Sequence, residues 1–214
     1  MSARYIKINS INPETNLIKQ CSDVINSGGS VVYPTETLYG LGVDVFNNDA
    51  CSKVFSIKGR DLNKPLIVHI ANIDDVFMVA DNISDDALRL MKQYWPGPLT
   101  IVLKKSKNIS DIVSKSNTVG VRMPDNNIEL EIIKSANVPI TGTSANLSGN
   151  NGIVDPLIAL KEMGDRVDII IDGGVCKIGK PSTIVDLSGS EIKLLREGAI
   201  LYSDILNFLN KHEN

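Results

Sequence analysis

The residues best suited to chemistry lie between Val31 and His69, in VVYPTETLYGLGVDVFNNDACSKVFSIKGRDLNKPLIVH. The β-branched pair Val31-Val32 runs into a polar turn, Pro34-Thr35-Glu36-Thr37, and Gly40 and Gly42 follow. Lys58, Arg60 and Lys64 form a basic cluster, and His69 closes an apolar run. Residues 53–64 hold four cations against one acid, Asp61, directly before a predicted strand. Cations at the mouth of a sheet suit a polyphosphate, because arginine offers a planar fork and lysine a point charge. In isolation, Lys58-Gly59-Arg60 reads first as a solvated helix end complementing the helix dipole. His69, inside a strand, reads first as a hydrogen-bonded core histidine.

Thr143-Ser144-Ala145-Asn146 follows the apolar Val138-Pro139-Ile140. Small polar residues beyond a strand end are a common binding position in α/β sheets, and equally a plain turn. No GxSxG occurs and no Cys–His pair can be nominated, so a nucleophilic mechanism lacks its parts. Cations and hydroxyls without a nucleophile suit phosphoryl or nucleotidyl transfer by positioning. Gly174 to Lys180 satisfies GxxxxGK, but Pro181 stands where Ser or Thr should hold magnesium, and Thr183-Ile184-Val185 predicts a strand instead of a helix. A phosphate loop is excluded on that ground.

The elements that must position these residues follow from pattern. Tyr5 to Ile8 predicts a strand. Asn12-Pro13-Glu14 predicts the start of a helix with Leu17, Cys21, Val24 and Ile25 on its apolar stripe, stopped at Gly28-Gly29. Ser30 to Tyr33, Leu66 to Ile70, Leu99 to Leu103, Val119 to Met123, Pro139 to Thr143, Val167 to Ile171, Thr183 to Leu187 and Ile192 to Leu195 predict strands. Helices are predicted from Asp49 to about Gly59, from Ser84 to Trp95-Pro96, around Glu129 to Ser135, over Leu157 to Met163, and from a Ser203 cap to about Asn210. Asp74, Asp75, Asp81, Asp85 and Asp86 read as a solvated helical surface. Some strand pairs lack a long crossover, which predicts an α/β fold with a mixed sheet.

Composition sets the bounds. The chain has 214 residues, 43% hydrophobic and 22% charged, with a formal net charge of −3. That describes an ordinary globular protein with one good core, and any nucleic-acid contact must be a local patch. Aromatics are only 5%, so the core must be built from Ile, Val and Leu. Cys21, Cys51 and Cys176 are far apart and odd in number, which fits a reducing compartment. No apolar run reaches a membrane span and the N-terminus lacks a signal-peptide core, so a cytoplasmic location is expected. With only His69 and His212, a histidine-rich metal site is excluded.

Taken together the segments resemble the YrdC family, the threonylcarbamoyl-AMP synthases. Tyr33 to Gly42 is similar to the family's opening motif, Lys58-Gly59-Arg60 to its KxR and Ser144-Ala145-Asn146 to its SxN. Lys64 to His69, Trp95 to Thr100, Val119 to Pro124 and Pro181 to Asp186 match in the same order, so the resemblance runs from about Ala3 to Gly198. It implies a YrdC-like twisted mixed β-sheet with surrounding helices and a large positively charged cavity. The implied reaction joins L-threonine, bicarbonate or CO2 and ATP into threonylcarbamoyl-AMP and pyrophosphate. A separate transferase complex would then modify tRNAs that read ANN codons.

The resemblance places ATP contacts on Lys58, Arg60, Lys64, Thr118, Ser144, Gly152 and Arg196. It places threonine contacts on Thr37, His69, Arg122, Gly142 and Ser182, and catalytic roles on Lys58, Arg60, Ser144 and Asn146. Arg122 is expected to grip the threonine carboxylate as a bidentate fork, and Lys58 and Arg60 to offset charge on the pyrophosphate. Mg²⁺ is expected mainly on phosphate oxygens, with no protein metal ligands assigned. Gly142-Thr143 stands where the family often has Ala-Pro, with only a modest effect expected on the pocket. Residues 1–214 are expected to be the short, single-domain form, with Asn146 to Pro156 and Gly173 to Lys180 as candidate lids. Two rival readings remain: a non-catalytic member binding double-stranded RNA or tRNA, and carbamoyl-adenylate chemistry. The second is disfavoured by the lack of cysteine-rich zinc motifs. Weak RNA binding alongside the synthase activity is a further expectation.

Overall fold

The computed structural model describes residues 2–211, and His212 lies outside them. The predicted mixed sheet is two mixed sheets. The first holds β1 (Arg4–Lys7), β2 (Val31–Tyr33), β3 (Gly40–Gly42), β9 (Thr143–Ser144) and β10 (Ile169–Asp172), in the order β1-β10-β2-β3-β9. The second holds β4 (Ile67–His69), β6 (Leu99–Lys105), β7 (Thr118–Arg122), β8 (Ile140–Thr141), β11 (Thr183–Asp186) and β12 (Lys193–Arg196), in the order β12-β11-β6-β7-β4-β8. β5 (Ala80–Asp81) pairs with β6 off that path. In the first sheet two parallel pairs (β1 with β10, β10 with β2) are followed by two antiparallel ones, and in the second, parallel pairs (β11 with β6, β4 with β7) alternate with antiparallel ones.

The helices are α1 (Thr15–Asn26), α2 (Asn48–Lys58), α3 (Val76–Val79), α4 (Asp85–Tyr94), α5 (Asn127–Ala136), α6 (Pro156–Met163) and α7 (Tyr202–Asn210). Ile18, Cys21 and Ile25 of α1 pack with Ile128, Ile132 and Ile133 of α5 against Val31, Tyr33, Ile169 and Ile171 on one face of the first sheet. The larger cluster joins Val32 and Leu41 of the first sheet to Val68, Ile101, Val121 and Val185 of the second. Val31 and Val32 therefore point into different clusters, which is why this strand is apolar on both faces. Each such fully buried Val or Ile contributes about 1.5–3 kcal/mol.

Several predicted boundaries move. α1 starts at Thr15 with Glu14 at the cap position, because the Asn9 side chain and the Glu14 carboxylate close residues 9–14 as a turn. α2 is capped by Asn47, whose side chain accepts from Ala50 N at 3.0 Å, and Asp49 lies in its first turn. Leu201 is the cap position of α7, so Ser203 is helical. The predicted strand 139–143 is split at Gly142, with β8 joining the second sheet and β9 the first. Asp75 binds the Asn72 N–H at 2.9 Å at the start of a short 3-10 turn, beyond being a surface acid. β3, β5 and α3 were not predicted. β3 is Gly-Leu-Gly because the Tyr33 ring lies across it: a Cβ at Gly40 or Gly42 would come within 2.7 or 2.6 Å of that ring.

Candidate active site

A cavity of about 780 Å³ is lined by residues of both sheets and the loops between them. That is in the upper part of the range for ligand sites. Its wall carries Arg60, Lys64, Arg122 and Arg196 against one acid, Asp186.

The Pro34–Leu38 turn is closed by Thr35. Its Oγ1 accepts from Thr37 N at 3.0 Å and Leu38 N at 3.1 Å. That fixes Thr37 on the cavity wall, where its Oγ1 accepts from Arg122 Nη2 at 3.0 Å. Arg122 ends β7, in register with His69 on the parallel neighbour β4, so the two side chains share a sheet face. Arg122 Nε donates to Gly97 O at 3.1 Å, and Nη2 also meets Glu36 Oε2 at 2.6 Å. The expected bidentate fork is thus already engaged within the protein, and only Nη1 is left without a partner among the described residues. A guanidinium buried this deeply needs its own hydrogen-bond partners.

His69 is 2% exposed, and its Nδ1 sits 2.5 Å from Glu129 Oε1 on α5. Tyr33 Oη is 3.4 Å from the same nitrogen and donates to Thr141 O at 2.8 Å. Burial raises the Glu129 carboxyl above its ordinary range, opposed by His69 and Arg122. Gly142 packs under the His69 ring, so close that a Cβ there would lie 2.1 Å from Nε2. A side chain at this position would therefore crowd the His69 ring.

The KxR and SxN motifs meet, though not as two walls facing a ligand. Lys58 is 2% exposed and does not line the cavity. Its Nζ donates to Ser144 O and to Asn146 O, and Lys58 O accepts from Ser148 N at 2.9 Å. Lys58 braces the turn from behind and does not present its charge to the cavity. Burial, then Arg60, push its pKa down to about 8. Gly59, in the left-handed conformation, ends α2 and releases Arg60 towards the wall. Arg60 Nη2 donates to Pro65 O at 2.9 Å. Desolvation lowers its pKa and that of Arg196 from the ordinary arginine value.

Ser144 and Asn146 line the cavity, and Asn146 Nδ2 donates to Leu147 O at 2.8 Å and Asn150 O at 2.9 Å. That leaves Asn146 Oδ1 buried without a hydrogen-bond partner among the described residues. Arg196 clasps Ser182, with Nη2 to its carbonyl at 2.8 Å and to its Oγ at 3.1 Å, and Ser182 Oγ is 2.8 Å from Thr100 Oγ1. Lys64, Thr118 and Gly152 complete the predicted lining. The two candidate lids are bonded to each other and to the opening turn, through Cys176 N to Val154 O, Ile178 N to Glu36 O and Gly179 N to Thr37 O. After the rejected phosphate loop, the chain enters β11 at Thr183 and not a helix.

Sequence reasoning missed Glu36 and Glu129. Glu36 stood in the opening motif, where its charge beside two threonines was the available signal. Glu129 follows the Asn126 cap by three residues and reads as an ordinary first-turn acid. Among the described residues no helix is long and apolar enough to cross a membrane, and no group of three or more His, Cys, Asp or Glu could hold a metal ion.

Residues 23–198 match the family model Sua5_yciO_yrdC, described as "Telomere recombination". The chain is 37% identical over 189 residues to a threonylcarbamoyl-AMP synthase of Pyrococcus abyssi, covering 88% of this chain and 56% of that protein. It is 38% identical over 199 residues to a putative threonylcarbamoyl-AMP synthase of Methanocaldococcus jannaschii, covering 92% of this chain and 94% of that one. The structure of P. abyssi Sua5 complexed with L-threonine superposes with a TM-score of 0.93 at 35% identity, over 96% of this chain and 60% of that chain. The chain thus spans a little over half the length of its P. abyssi relative. With the two-sheet fold, the joined KxR and SxN segments and these matches, the chain belongs to the Sua5/YciO/YrdC family.

Proposed function

We propose that this chain is a threonylcarbamoyl-AMP synthase, joining L-threonine, bicarbonate or CO2 and ATP with release of pyrophosphate. Its product would serve a separate transferase complex acting on tRNAs that read ANN codons, in the cytoplasm, with residues 1–214 working as one domain. The observation that carries this reading is one juxtaposition. His69 and Arg122, register neighbours on the second sheet, line the same cavity as Arg60, Lys64, Ser144 and Asn146. Relatives bearing that activity in their names, and one bearing L-threonine in its structure, support it.

In this reading, Arg122 Nη1 takes the threonine carboxylate, with Thr37 or His69 near its hydroxyl. Arg60, Lys64 and Arg196 hold the phosphates of ATP. Lys58 acts indirectly, by fixing the Ser144–Asn146 turn through its carbonyls. A carbamate oxygen of the substrate then attacks the α-phosphorus, and pyrophosphate leaves beside the cations. The unpartnered Asn146 Oδ1 fits one neutral oxygen ligand to Mg²⁺, otherwise held by phosphate oxygens and water. Mg²⁺ bound there would supply charge neutralisation on the phosphates.

The test is pyrophosphate release from ATP with L-threonine and bicarbonate each omitted in turn. Release that requires both supports the proposal. Release driven by carbamoyl phosphate instead would favour carbamoyl-adenylate chemistry. No release, with tight binding of double-stranded RNA, would favour a binding module.

A further inference from the structure

We propose that His69, oriented by Glu129, is the base that takes a proton from the substrate's amino group and so readies it to capture CO2. The inference rests on the synthase reading and deepens it.

Glu129 Oε1 meets Nδ1, and an ionised Glu129 there accepts the Nδ1 proton and leaves the Nε2 lone pair to a ligand. Nε2 has no hydrogen-bond partner among the described residues, and His69 lines the cavity. Glu129 is fully buried and its Oε2 has no hydrogen-bond partner among the described residues. Such an arrangement is a poor way to stabilise a core, because an unsatisfied buried acceptor costs about 1–3 kcal/mol. Buried carboxylates of this kind cluster at working sites.

Geometry brings the amine to His69. Parallel neighbours lie about 4.8 Å apart, and His69 is in register with Arg122. In an α-amino acid the nitrogen lies about 2.5 Å from the carboxylate carbon. A substrate whose carboxylate is held by Arg122 Nη1 can therefore present its amine to the neighbouring Nε2.

An ammonium has no lone pair and cannot attack carbon. His69 Nε2 takes one proton from R–NH3⁺; the N–H bond breaks, Nε2–H forms, and R–NH2 keeps the electron pair. That pair forms the N–C bond to CO2, one C=O pair moves onto oxygen, and the second proton passes to water, leaving R–NH–COO⁻. His69 returns its own proton to solvent through the cavity. Glu129 stabilises the imidazolium meanwhile, as a positioning residue.

The groups facing His69 are Glu129 from α5, Tyr33 from β2 and Arg122 from β7, with Glu36 beside Arg122 and the Cys176 thiol electrostatically coupled to Glu129. Burial pushes Cys176 up to about 12 and Tyr33 well above its ordinary value, so both stay neutral at physiological pH.

The test compares pH profiles of threonine- and bicarbonate-dependent pyrophosphate release for the full wild-type chain and Glu129→Gln, with threonine affinity measured by calorimetry. Glu129→Gln is expected to lower kcat about 10²- to 10⁴-fold at unchanged threonine affinity. Its pH profile should change with it, because the Glu129 carboxyl no longer faces Nδ1. His69→Gly is expected to be rescued by imidazole in proportion to the free base. An unchanged kcat and pH profile in Glu129→Gln would overturn the inference, as would weakened threonine binding with kcat intact. If Glu129→Gln does not fold, absence of imidazole rescue in His69→Gly overturns it. A wild type that does not require both threonine and bicarbonate would instead overturn the proposed function, and this inference with it.

Discussion

Glu36 Oε2 stands 2.6 Å from Arg122 Nη2, and both side chains are 6% exposed. The pair does two things at once. It neutralises a buried cation on the cavity wall, and with Thr37 and Gly97 it turns the guanidinium so that Nη1 alone lacks a partner among the described residues. Removing one partner of a buried ion pair leaves the other uncompensated. Glu36→Ala is therefore expected to lower stability by about 3–5 kcal/mol, measured by urea unfolding.

Arg122→Lys keeps the charge but cannot hold Gly97, Thr37 and Glu36 while also reaching a ligand. Loss of one charge-assisted hydrogen bond predicts a threonine KM higher by about 10- to 100-fold, with the fold retained. Steady-state kinetics with threonine varied would read this directly; an unchanged KM would exclude Arg122 as the carboxylate partner.

Lys58 gives a prediction in pH. Its folded-state pKa is about 8, against 10.5 for a lysine in water. Between those values the unfolded chain binds more protons, so the Lys58 contribution makes stability rise with pH across that window. Below about 8 the burial penalty is fully present. The rise is on the order of 3–4 kcal/mol. Urea midpoints of the wild type and Lys58→Met, compared across the window, should differ by that rise. Because Lys58 braces the Ser144–Asn146 turn, Lys58→Met should also weaken ATP binding without removing a cation from the cavity wall.

Arg60→Ala removes a cation that does line the wall and is only part-buried. ATP- and threonine-dependent pyrophosphate release is expected to fall by about 10²–10³, with thermal unfolding little changed. Full activity in this variant would sink the assignment of Arg60 to the phosphates.

Gly142→Ala tests the packing under His69. The new methyl would lie 2.1 Å from Nε2 in the present geometry, so the ring must swing away from Glu129 or the β8–β9 corner must open. A misplacement of about 1 Å near reacting groups predicts a loss of roughly 100-fold in kcat. Single-turnover pyrophosphate release, with circular dichroism to follow the fold, would measure it.

The sequence by itself determined most of the elements and named every cation of the cavity wall. Val31-Val32 and Ile170-Ile171 read as strands because β-branched runs pack on both faces of a sheet, and Trp95-Pro96 ended α4 because proline cannot continue a helix. The ordered motifs held Thr37, Arg60, Lys64, His69, Arg122, Ser144, Asn146 and Ser182, and the family resemblance added Arg196; all of them line one cavity. Local patterns carry such information because periodicity, caps and turn residues act over a few positions. Only the tertiary structure decided what these side chains do. It turned Lys58 away from the cavity, split residues 139–143 between two sheets at Gly142, and engaged Nε and Nη2 of Arg122 within the protein. It also brought Glu129, sixty positions away in the chain, onto His69. The physical reason is that a buried charge must find its partner wherever the fold supplies one, and sequence spacing does not encode that meeting.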